Sequence, residues 1–273
     1  MLLSAITMVK NEEEFVGYVI MSMYDYVDEI IVVDGGSEDG TVDIIQYIMK
    51  ELDKDNKITY WQDLRPKNEL IHTRNDMIKA CKGKWILRLE GDEVYSDENA
   101  KKVREYIEKG IIKDSVLSVG WPYYFFVNDI NTIVPVGEPH TFATIMIKNV
   151  EGIHAAHHDR GGNETFYDEG WFDKDGKEVS IWHPKDNPTQ RIKDIAIHHY
   201  AGFKRTTRHK DYMLKCKKVP FKEGHPEVFL RYDFKSFMKY EGSKEVIKLI
   251  EKNVNYKPKK TLWEKIRKKL KGY

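Results

Sequence analysis

Trp85-Ile86-Leu87-Arg88-Leu89-Glu90-Gly91-Asp92-Glu93 is an apolar run that stops abruptly in three carboxylates with one glycine among them. It is short and follows the turn residues Lys82, Gly83 and Lys84, so it reads as a buried strand. Side chains alternate along extended backbone, which lets Glu90 and Asp92 face the same way just past the strand end. Two carboxylates at that spacing suit a hard divalent cation carrying a diphosphate, because such a metal keeps waters and takes few protein ligands. A solvated acidic turn would carry the same residues. The flanking chain has to decide between the two readings.

Upstream, Leu2 to Val9 is a strand candidate. Asn11 then reads as a helix cap, with Glu12, Glu13 and Glu14 in the first turn, where the helix dipole favours anions. Phe15, Val16, Val19, Ile20 and Met23 recur at helical spacing and should face a sheet. Glu29 to Val33 is a second buried strand, ending at the turn residues Asp34-Gly35-Gly36-Ser37. Ile44, Ile45 and Ile48 give the next helix its apolar face. Lys57 to Trp61 is a third strand, Asn68 to Ala80 a helix, and Ser96 caps a further helix that stops at Gly110. The order β-α-β-α-β-α-β is the signature of a mostly parallel sheet covered by helices. Ligands of such sheets sit beyond the carboxyl ends of the strands. Those ends are Val9-Lys10-Asn11, Asp34-Gly35-Gly36 and Glu90-Gly91-Asp92, and they should meet at one edge.

After Gly110 the pattern changes. Val116 to Gly120, Tyr123 to Val127, Thr132 to Val136 and Thr141 to Lys148 read as strands with no long helices between them, an antiparallel extension of the sheet. Residues 150–180 have weak periodicity and are expected to form a long loop region. Ile195 to Tyr200 reads as a last strand, followed by helices at roughly Arg205 to Lys217 and Lys244 to Asn253. The expected division is a domain over residues 1–204, with a ligand-binding half (1–110) and a second half (111–204), then a helical region over 205–273.

The chain has 273 residues, 41% hydrophobic and 33% charged, which describes a globular chain with a core. Its net charge of +1 gives no reason to expect nucleic acid as a partner. Cys81 and Cys216 are the two cysteines, with no disulfide framework and no metal-site spacing, which fits a reducing, cytoplasmic setting. The apolar start at Met1 lacks a basic flank and reads as strand, not signal peptide.

Taken together, Thr7-Met8-Val9-Lys10-Asn11-Glu12-Glu13, Ile31-Val32-Val33-Asp34-Gly35-Gly36-Ser37-Glu38-Asp39-Gly40-Thr41, Arg74-Asn75 and Leu89-Glu90-Gly91-Asp92-Glu93 resemble the inverting glycosyltransferases of family 2. The resemblance covers about the first hundred residues in order. It implies the GT-A fold, a nucleotide-sugar donor (UDP-, GDP- or dTDP-sugar), Mn²⁺ or Mg²⁺, and inversion at the sugar carbon. It places Asp34 at the nucleotide base, with Val9, Asn11, Glu12 and Gly36 along the same edge and Arg74 near the nucleotide. Asp92 matches the metal-binding acid and Glu90 lies nearer the ribose or sugar. Glu90 departs from the usual Asp, and Gly35 from a commonly acidic position. The resemblance also implies a histidine ligand at His198-His199-Tyr200. His198 is preferred over His199, since strand alternation turns one of the two inward.

Inversion requires a base for the acceptor hydroxyl. Residues 151–160 hold the densest set of titratable groups, and Asp159 is the first candidate, with Glu164 and Glu138 behind it. His157 and His158 are candidates for acceptor contact. Trp121, Tyr123, Tyr124, Phe125, Phe126, Trp171, Phe172 and Trp182 suit sugar rings, and suit a core better. The tail from Lys259 to Tyr273 is basic and amphipathic, the chemistry of peripheral contact with an anionic membrane. A glycan or glycolipid acceptor would fit that placement. Two rivals are a nucleotidyltransferase that makes nucleotide sugars and a non-catalytic nucleotide- or sugar-binding module. The first wants a Gly-rich, basic phosphate loop where this chain has Lys10-Asn11-Glu12-Glu13-Glu14.

Overall fold

The computed structural model describes residues 1–127, 129–136, 142–157, 169–179, 189–202 and 217–254. The first half alternates strand and helix: β1 (Leu3–Val9), α1 (Val16–Met23), β2 (Glu29–Asp34), α2 (Thr41–Tyr47), β3 (Ile58–Gln62), α3 (Leu70–Ala80) and β4 (Trp85–Leu89). A two-residue β5 (Glu93–Val94) and α4 (Asp97–Glu108) follow. The second half is β6 (Ser118–Val127), β7 (Thr132–Val134), β8 (Phe142–Lys148), β9 (His154–His157), β10 (Glu169–Phe172), β11 (Thr189–Arg191), β12 (Ile197–Gly202) and β13 (Val219–Pro220), closed by α5 (Glu241–Asn253).

β3, β2, β1 and β4 run parallel in that spatial order. β8 then pairs antiparallel with β4 and with β6. β12 joins β6 in parallel and also takes β5 antiparallel. The β-branched run of β2 explains why this sheet is covered on both sides. Ile30 and Val32 pack in the cluster that holds α1 and α2 residues such as Val19 and Ile44. Ile31 and Val33 pack in the other, with Met77 and Ile78 of α3. A period of two sends neighbouring residues to opposite faces, and both faces are dry.

Four expectations change. α1 begins at Val16, and Asn11 caps nothing: its φ is +56°, and it bonds to the β2–α2 loop. Glu12, Glu13 and Glu14 precede the helix rather than forming its first turn, and they are buried. The two strands expected around Pro122 are one ten-residue strand, β6. Within 150–180, the described residues form an antiparallel pair, β9–β10, where a loop was expected. The helix expected over 205–217 falls almost wholly outside the described residues, as does the tail over 259–273. Among the described residues, no helix is long and apolar enough to cross a membrane.

Candidate functional site

The three polar strand ends do meet. The Gly35 N–H donates to the Val9 carbonyl at 2.8 Å, which joins the ends of β1 and β2. Gly91, just past β4, lies so close that an added Cβ would sit 2.6 Å from Glu12 Cγ and 3.1 Å from Val9 Cγ1. The acidic turn is therefore packed directly on the β1 end, and only glycine permits that approach.

Each end is fixed locally. The Asp34 carboxylate is buried and accepts from the Gly36 N–H (3.0 Å), the Ser37 N–H and hydroxyl, and Gln62 Nε2 (3.1 Å). Gln62 is in register opposite Asp34 on β3. Asn11 donates its N–H to Ser37 Oγ and accepts from the Glu38 N–H, each at 2.8 Å. Glu12 donates its N–H to Thr41 Oγ1 at 2.7 Å. Arg74 is buried on α3, with its guanidinium 5.9 Å from the Trp171 ring centre, a cation–π approach. Its neighbour Asn75 exchanges two hydrogen bonds with the Ala155 backbone, at 2.8 and 3.0 Å, and so ties α3 to β9.

The acidic turn is held from the other side by β12. Glu93 pairs with His199 and Val94 with His198, and the Tyr200 N–H donates to the Asp92 carbonyl at 3.0 Å. This register turns His199 onto the turn, with Nε2 3.3 Å from Asp92 Oδ1. His198 faces the opposite way. Its Nε2 meets the Gly224 carbonyl at 3.0 Å, and its ring lies among Tyr124, Phe126, Phe221 and His225. The preference for His198 is thereby corrected. Alternation does turn one histidine inward, but pairing with β5 sets the phase, and it selects His199. A cavity of about 350 Å³ opens on the His198 side of β12, lined also by Tyr124, Lys193 and Glu223. Asp92, His199, Asp34 and Arg74 take no part in its lining.

Electrostatics follow from this packing. Burial works against a charged His199, yet Asp92, Glu93 and Glu90 outweigh it and raise its pKa. Burial raises Glu93, with His199 and Arg88 opposing. His198 is pushed down to about 3 by burial and by His225, so it stays neutral. Arg88 lies 3.2 Å from Glu90 and also donates to the Tyr123 hydroxyl. Glu90, Asp92 and Glu93 thus share the turn with one imidazole and one guanidinium, and the positive groups largely offset the acidic ones. Among the described residues, no three His, Cys, Asp or Glu side chains form a complete metal site by themselves. Asp92 and His199 bring a carboxylate and an imidazole together at one point of the rim.

His157 is exposed at the end of β9. Glu138, His158, Asp159 and Glu164 lie outside the described residues, as does Trp182. Trp121, Tyr123, Phe125, Phe126 and Trp171 are buried, as a packing role requires. Gln62 and Asn75 make contacts that their local sequence does not suggest. Register opposite Asp34 is a signal that could have found Gln62; the partner of Asn75 is far away in sequence.

The family model for glycosyl transferase family 2 matches residues 4–213. The SPbeta prophage-derived glycosyltransferase SunS of Bacillus subtilis is 34% identical over 95 residues, 35% of this chain and 21% of SunS. The chain thus matches about a fifth of that relative's length. Among solved structures, S. aureus TarS 1–349 in complex with UDP-GlcNAc has a TM-score of 0.49 at 15% identity, covering 92% of this chain and 72% of that one. The mannosyltransferase PcManGT from Pyrobaculum calidifontis, in complex with GDP-Man and Mn²⁺, has a TM-score of 0.36 at 20% identity, covering 43% and 34%. The chain belongs to glycosyl transferase family 2.

Proposed function

We propose that this chain transfers a sugar from a nucleoside diphosphate sugar to a hydroxyl of a glycan or glycolipid, with inversion at the sugar carbon and with the aid of Mn²⁺ or Mg²⁺. The observation that carries this reading is the Asp92–His199 pair, held at the rim where the ends of β1, β2 and β4 meet. Asp92 and His199 would hold the cation, with Glu90 beside them. The cation supplies charge compensation for a departing diphosphate. Asp34, Asn11, Glu12, Val9 and Gly36 form the nucleotide side of the rim, with Arg74 on α3. Asp159 is the first choice for the base that takes the acceptor proton, ahead of Glu164 and Glu138. His157 and His158 belong to the acceptor side.

The test is a thermal-shift screen of UDP, GDP and dTDP and their sugars, with and without Mn²⁺. A ligand that binds the native state raises the melting temperature by mass action. The hit is then incubated with glycan and lipid-linked acceptors, and the anomeric configuration of the product is read by NMR. No metal-dependent shift with any nucleotide would reject the reading. Binding without turnover on any acceptor would leave a nucleotide-binding module.

A further inference from the structure

Glu13 is fully buried in the loop between β1 and α1, next to Glu12 of the rim. Its carboxylate accepts four hydrogen bonds from two distant parts of the chain. Oε2 accepts from the Gly40 N–H of the β2–α2 loop and from the Lys239 N–H, each at 2.8 Å. Oε1 accepts from the Tyr240 N–H at 3.0 Å and the Ser243 hydroxyl at 2.9 Å. Tyr240 is the N-cap residue of α5 and has no side-chain cap bond of its own. Glu13 therefore takes the N–H of the N-cap residue and a first-turn hydroxyl of a helix more than 220 residues later, an anion set at the positive end of its dipole.

The same junction is fastened twice more. The Glu13 N–H donates to Asp39, and Lys239 Nζ donates to the carbonyls of Glu38 and Asp39. At Gly40, an added Cβ would sit 2.2 Å from the Phe237 carbonyl oxygen, so the two segments are in direct backbone contact. The loops joined at Glu13 are those that carry Asn11, Glu12, Gly36 and Ser37. Glu12 in turn packs on Gly91 of the acidic turn.

We propose that Glu13 is a positioning residue that lets the 239–243 segment set the geometry of the nucleotide-side rim. This rests on the donor reading above. It makes the C-terminal part of the chain a determinant of donor affinity, acting through Glu13 and the two loops that Glu13 joins. A buried carboxylate with four donors has no neutral replacement, because Glu13→Gln turns an amide NH₂ toward groups that are themselves donors.

The test compares wild type, Glu13→Gln and Ser243→Ala as full chains. Hydrogen exchange of the free protein comes first, since it needs no ligand. Exchange at residues 10–14 and 38–41 should rise at least tenfold in Glu13→Gln and less in Ser243→Ala, with β1, β2 and β4 unchanged. Binding of UDP, GDP and dTDP with Mn²⁺ is then titrated. Affinity for the diphosphate that wild type binds should fall at least fivefold in Glu13→Gln. The donor KM should rise with it, while kcat at saturating donor stays within twofold. Loosening confined to residues 239–254, with affinity unchanged, would overturn the proposal and leave Glu13 as a fastener of the tail. If Glu13→Gln does not fold, Ser243→Ala decides by the same two readouts. A wild type that binds none of the three diphosphates would overturn the donor reading itself, and the positioning role with it.

Discussion

Asp92 Oδ1 and His199 Nε2 lie 3.3 Å apart because the main chain of the acidic turn is bonded to the strand that carries the histidine. Neither side chain is free to drift, since β5 pairs with β12 on one side and Gly91 packs on Glu12 on the other. Asp92→Ala and His199→Ala should each abolish Mn²⁺-dependent nucleotide binding in titration calorimetry. His198→Ala should leave that binding in place and lower stability, by about 2–4 kcal/mol for a buried ring left as a cavity. Loss of metal dependence in His198→Ala but not in His199→Ala would reverse the assignment.

Gly91→Ala adds a methyl at 2.6 Å from Glu12 Cγ. Overpacking of that kind costs about 1–3 kcal/mol. The shift falls on the junction of two rim loops, so activity should drop far more than stability. Urea unfolding and initial rates on the same preparation separate the two. Wild-type rates would show that the turn has room to move.

Asn75→Ala removes both hydrogen bonds between α3 and the Ala155 backbone. Leaving that backbone pair without partners costs about 1–3 kcal/mol. β9 leads directly toward residues 158–168, so the acceptor KM should rise while nucleotide affinity holds. An equal change in both constants would place Asn75 on the nucleotide side.

His225 shares a hydrogen bond with the Tyr200 hydroxyl at 2.8 Å, and burial pushes its pKa down to about 4. The unfolded chain takes up a proton near pH 6.5 that the folded chain refuses until about pH 4. Stability from this group is complete above the unfolded value and is lost as pH falls through that window. The slope is about 1.4 kcal/mol per pH unit for one proton. His198, at about 3, acts in the same sense, and Glu93, raised by burial, acts in the opposite one. His225→Asn should therefore flatten the fall in unfolding free energy between pH 6 and 5 by about one proton's slope. An unchanged slope would show that His225 titrates freely.

Asp159→Asn should leave nucleotide binding intact and remove turnover. Full activity in that variant would move the base to Glu164 or Glu138. Single-turnover rates at saturating donor and acceptor make the comparison.

Local pattern carried the sheet. Ile30 to Val33 and Trp85 to Leu89 could be read as buried strands because their composition and length admit little else. The convergence of the strand ends followed from chain order alone. Asn11 misled because the same side chain that caps a helix also bridges loops, and only its positive φ distinguishes the two. Glu13 was invisible as a hub, since its partners at Lys239, Tyr240 and Ser243 are set by tertiary packing. His198 and His199 could not be separated, because alternation gives a period and no origin. The origin comes from Val94 and Glu93, on a strand of two residues.

That short strand has a further consequence for register. A one-residue slip of β12 against β5 and β6 would leave the composition unchanged and exchange the side chains that face the turn. His198 would then take the seat at Asp92, so an imidazole would still stand there. Ile197 would take the seat beside Gly224, where no ring could meet the carbonyl, and His199 would displace Tyr200 from its stack.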